Sequence, residues 1–137
     1  MSFVMTKIKF NQTTYRIQDS EGRGPFKPGT AVEWCESRID LINLKPAHLE
    51  FDDYTDTVRE LIAKGLYVSI ATDTLEQLRR WFTVTEYLKL LGKGYKCYKV
   101  DQCHVAFRSD IQLLIARKCP PTQFIEQVKL YYAETIQ

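Results

Sequence analysis

No stretch of the sequence approaches the ~20 consecutive apolar residues that span a bilayer, and the opening MSFVMTKIKF has no apolar core behind a basic start, so a soluble, cytoplasmic protein with no membrane partner is expected. An excess of either charge is also lacking. Lys and Arg number 19 against 17 Asp and Glu, and the resulting +2 is too small to hold nucleic acid by bulk attraction. Cysteine is sparse: Cys35, Cys97, Cys103 and Cys119 are too few for a disulfide scaffold and form no Cys-x-x-Cys pair, so buried free thiols are expected. The two histidines, His48 and His104, stand far apart in the chain, and no metal site is expected. What is present is globular composition. At 45% hydrophobic and 26% charged residues over 137 positions, the chain can bury one contiguous core, and residues 1–137 are read as a single domain.

Periodicity outlines the elements. TTYRIQ, residues 13–18, alternates as a half-buried strand, and the glycines and prolines of 19–29 turn it into an extended loop. Thr30 to Leu44 gives no decisive pattern, although its Trp34 needs burying. Asp56 to Gly65 reads as a short helix capped by Asp56 and stopped by Gly65. LYVSIA, 66–71, follows as a central strand. Asp73-x-x-Glu76 and Thr83-x-x-Glu86 have capping-box spacing and open two consecutive helices. YKCYKV (95–100) and IQLLIA (111–116) read as strands, and Phe124, Val128, Tyr131 and Tyr132 share one face of a terminal helix. Strands and single crossover helices do not alternate, so the expected class is α+β, with two small mixed or antiparallel sheets and short flanking helices.

Three strands each carry a polar residue where packing alone favours an apolar one: Arg16 in TYRIQ, Ser69 in LYVSIA and Gln112 in IQLLIA. Buried polar groups need partners, and neighbouring strands can aim them into one cleft. Each also has a plain alternative. Arg16 would be solvated beside Thr14 and Gln18 on an outer face, Ser69 would bond within its sheet, and Gln112 would be a satisfied core amide.

An arginine in the first strand, a serine in a strand that enters a helix, and a late strand bearing an acid or glutamine resemble the ADP-ribosyltransferase fold, in its Arg-Ser-Glu branch. The resemblance covers Tyr15 to Lys118 and implies NAD in a cleft between two small sheets. By carry-over, Arg16 would grip the diphosphate or its ribose, Ser69 and Thr72 would hold the nicotinamide ribose, and Tyr67 would stack on a ring, as would Tyr15 or Trp81. Arg23, in the glycine-rich loop, would reach phosphate.

The acid that stabilises the oxocarbenium-like state in such enzymes is replaced here by Gln112, with Asp110 two residues earlier as the nearby carboxylate. These two are the implied catalytic pair. The resemblance thus implies transfer of ADP-ribose to a macromolecular acceptor, a protein above others, met by the loops 19–29 and 45–54. The alternative is an interaction or inhibitor module that keeps the fold without turnover. Arg79-Arg80 beside Trp81, and the strand YKCYK, would suit nucleic acid, but the near-neutral charge disfavours that partner.

Overall fold

The computed structural model describes residues 7–26, 34–36 and 44–132. Among them, four helices flank one curled sheet in which every ladder is antiparallel. The strands are β1 (Gln12–Gln18), β2 (Tyr67–Ala71), β3 (Lys96–Arg108), β4 (Leu113–Arg117) and β5 (Ile125–Gln127). Their order is β1-β3-β4-β2, with β5 also pairing β3. The class is therefore α+β as expected, but the strands form one antiparallel sheet where two small ones are expected.

The organising element is β3, which runs well beyond the YKCYKV segment. Its first half pairs β1, with Arg16 opposite Tyr98, and its second half pairs β4, with Arg108 opposite Leu113. Gln102, at φ 60, lies between the two halves. On the far side of the molecule β2 pairs β4, with Ser69 opposite Ile115. The curl then nearly closes: Tyr15 and Thr72 exchange backbone hydrogen bonds of 2.9 and 2.8 Å. Apart from that bridge, β2 has one ladder partner among the described residues, so it is not the central strand its composition suggests. Strand-forming residues report burial on the pleat and not a place in the strand order.

The helices are α1 (Ala47–Glu50), α2 (Tyr54–Ala63), α3 (Leu75–Trp81) and α4 (Val84–Gly92). The box opening α4 forms as its spacing predicts: Thr83 accepts from the Glu86 amide and Glu86 from the Thr83 amide. The start of α3 is displaced by one residue. Thr74 is the cap, accepting from Gln77 N at 3.0 Å, and Gln77 Oε1 accepts from Asp73 N. Asp73 itself pairs with Arg108. Similarly, α2 begins at Tyr54, with Asp56 in its first turn and not at its cap.

The expected terminal helix does not form within the described residues. Arg117, at the end of β4, draws in the carbonyls of Pro120, Gln123 and Phe124, and Phe124 sits at φ 55. A residue in the left-handed region cannot continue a right-handed helix. The chain instead returns as β5 beside β3, and Val128 N donates to Cys97 O. The apolar residues are buried by an extended path: Leu130 is fully enclosed, and the Tyr131 hydroxyl donates to Phe82 O. Trp34 is buried against Phe82 and Phe26; the rest of the undecided segment lies mostly outside the described residues, as do Lys27, Pro28 and Gly29.

Candidate functional site

Beyond the Tyr15–Thr72 bridge, β1 and β2 part, and a cleft of about 710 Å³ opens between them. That size falls within the ~300–1,000 Å³ usual for small-molecule and cofactor sites. Arg16, Ser69, Thr72 and Gln112 all line it, with Arg23 at the loop above. Three positions far apart in the chain therefore meet around one hollow. Trp81 and Phe26 form an aromatic wall, and His48 and Tyr54 face them from the 45–54 segment.

Arg16 is not solvated. It is 7% exposed, and Thr14 and Gln18 on the same strand face are buried with it. Two of its five N–H donors are committed to backbone carbonyls, Nη1 to Ile70 O at 3.2 Å and Nη2 to Gly22 O at 3.4 Å. Nε has no hydrogen-bond partner among the described residues. Burial holds the guanidinium pKa down to about 10, with Asp19 and Cys103 acting against that shift and Arg117 adding to it. The side chain is still charged at neutral pH. Among the described residues no carboxylate forms an ion pair with it, and a buried cation without an anion is costly.

The loop after β1 is shaped by Asp19. Its Oδ1 accepts from the amides of Glu21 and Arg23, both at 2.9 Å, and Oδ2 from Arg23 Nε at 3.2 Å. Desolvation pushes this carboxyl up, but those donors prevail and its pKa lies below the ordinary value. The amides of residues 21, 22 and 23 are thus satisfied inside the loop and are not a phosphate cradle. Gly22 is required here. It sits at φ +84, and a Cβ would come within 2.5 Å of Pro121 Cγ, where any side chain is excluded.

Gln112 precedes β4 and does not lie within it, because the chain turns at Ser109, whose amide donates to Gln112 O. Its two amide hydrogens go to Lys45 O at 2.7 Å and Glu50 Oε1 at 2.8 Å. Only its carbonyl oxygen is left for the cleft. Asp110 lies in the turn, exposed, and is not among the cleft residues; its backbone oxygen accepts from Gln77 Nε2. The pairing that would set Asp110 and Gln112 on one strand face does not reach that far. Tyr67 is about half exposed and lines a separate chamber, and Tyr15 packs beside the core.

Glu50, His48 and the buried Arg117 are the residues that sequence reasoning passed over. The 45–54 segment drew notice only as a loop. No family model, curated protein or solved structure matches the chain.

Proposed function

We propose that the cleft binds NAD and that the protein is ADP-ribosyltransferase-like, handing ADP-ribose to a macromolecular acceptor. The observation that carries this reading is Arg16: a buried, charged guanidinium with uncommitted donors in the wall of a cofactor-sized cleft. A diphosphate supplies the missing negative charge and the acceptors such a fork requires. Ser69 and Thr72 offer hydroxyls to a ribose, and Trp81 offers a ring face to a base. Gln112, through its carbonyl oxygen, would orient a ribose hydroxyl.

A specific observation favours a second reading, binding without turnover. Among the described residues that line the cleft none is Asp or Glu, so no carboxylate faces the point where positive charge would develop as nicotinamide leaves. Two measurements separate the readings. Calorimetric titration of NAD into the intact protein is expected to show binding, weakened at least ~10-fold in Arg16→Lys, which keeps the charge and loses the fork. Release of nicotinamide from bound NAD marks the transferase; bound NAD that stays whole marks the module. No heat of NAD binding in a folded sample rejects the enzyme reading and leaves an interaction module that works through its surface.

A further inference from the structure

We infer that a second, smaller chamber behind Arg16 binds a phosphate group carrying a P–OH, either as inorganic phosphate or as the monoester end of a larger ligand. The chamber has a volume of about 100 Å³ and lies inside the curl of the sheet, between β1, β2 and β4. That is room for roughly three waters at ~30 Å³ each, or for one small oxyanion. Its walls include Arg16, Gln18, Ser69, Arg117 and Pro121, and among the described residues that line it none is Asp or Glu.

Two buried guanidiniums facing one small space repel each other unless an anion lies between them. Arg117 is only 2% exposed. Four of its five N–H donors go to the carbonyls of Asp101, Pro120, Gln123 and Phe124, which leaves one Nη1 hydrogen. Arg16 brings Nε and one hydrogen on each Nη. Together these donors suit the oxygens of a tetrahedral anion.

Gln18 specifies which anion. It is 1% exposed, its Nε2 donates to Pro121 O at 2.9 Å, and that bond fixes the amide with Oε1 as the remaining acceptor. Oε1 has no hydrogen-bond partner among the described residues. Sulfate, bare of protons at neutral pH, sets lone pairs against this oxygen. Phosphate donates its P–OH to it while its other oxygens meet the two arginines. One unpaired acceptor therefore becomes a device for choosing phosphate over sulfate. The chamber and the cleft share Arg16, Gly22, Val68 and Ser69 in their walls, which gives a monoester a route in from the cleft side.

The test is calorimetry on the whole chain in chloride buffer at a pH below the monoester's second pKa of about 6, where ribose 5-phosphate still carries a P–OH and sulfate carries none, with sodium phosphate, sodium sulfate and ribose 5-phosphate as separate titrants. Phosphate is expected to bind and sulfate to bind at least ~10-fold more weakly, the weight of one buried unpaired acceptor. Gln18→Met keeps the volume, removes the acceptor, and should bring the two anions within ~2-fold of each other. Ribose 5-phosphate matching phosphate assigns the site to a ligand's end, and phosphate alone assigns it to the free ion. No phosphate binding by folded protein, or equal affinity for sulfate in the unaltered chain, overturns the inference. If Gln18→Met does not fold, the phosphate-to-sulfate ratio of the unaltered chain decides alone. The inference does not rest on NAD: phosphate binding without NAD binding removes only the cleft reading, and the reverse removes only this one.

Discussion

Gln112 holds a position where a small chemical change has a large local effect. Its amide joins Lys45 O to Glu50 Oε1, so replacing it with glutamate does more than place a carboxylate in the cleft wall. In Gln112→Glu the two donated bonds are lost and a second carboxylate faces Glu50, whose Oε1 also takes the Ser109 hydroxyl. We expect a loss of about 1–3 kcal/mol at neutral pH. A carboxyl that pairs with a like charge has a raised pKa in the folded state. The penalty therefore shrinks as pH falls through the carboxylate range and one of the pair takes a proton. Urea unfolding of both proteins at pH 7 and pH 4 measures it, and a gap that does not narrow rejects the account. The sequence marks Gln112 as a polar residue among apolar ones, which is how it is found. Its partner Glu50 is not legible in the same way, because Glu50 sits in a polar segment that says nothing about which strand it will face.

At the scale of elements, β2 has two unlike edges. Its inner edge is laddered to β4. On the outer edge Thr72 N and O both meet Tyr15, and Ile70 O meets Arg16. Backbone groups alternate sides along a strand, so the amides of Val68 and Ile70 face the gap while those of Ser69 and Ala71 face β4. Hydrogen exchange should therefore alternate along β2, fast at Val68 and Ile70, slow at Ser69 and Ala71; uniform protection would contradict it. This strand and the box at Thr83 could be read directly, since apolar runs and Thr-x-x-Glu spacing act locally. The terminal helix could not. Its 3.6-residue spacing is genuine, but Arg117 gathers the carbonyls of Pro120, Gln123 and Phe124 into a turn that leaves Phe124 at φ 55, and the chain goes on extended beside β3. Periodicity does not reveal such competition.

Across the whole molecule, the core divides its thiols into two kinds. Cys97 and Cys103 are fully enclosed, and desolvation raises both, Cys97 to about 12. Cys35 and Cys119 are partly exposed. Alkylation of the native protein should mark Cys35 and Cys119 within minutes and reach Cys97 and Cys103 only at the rate of global unfolding, as read by mass spectrometry of the labelled peptides. Early modification of Cys97 would mean that the curl opens without unfolding. The α+β class was legible from the order of elements. The closing of the sheet was not, because it depends on one long strand turning at Gln102 to serve two partners. That division of labour also governs birth on the ribosome. β1 and β2 are made before the strands that pair with them, β3 and β4, so the nascent chain carries unzippered edges until those strands emerge. Assembly must wait for the hairpin of β3 and β4, and the interval before it arrives is when this protein is most exposed to aggregation.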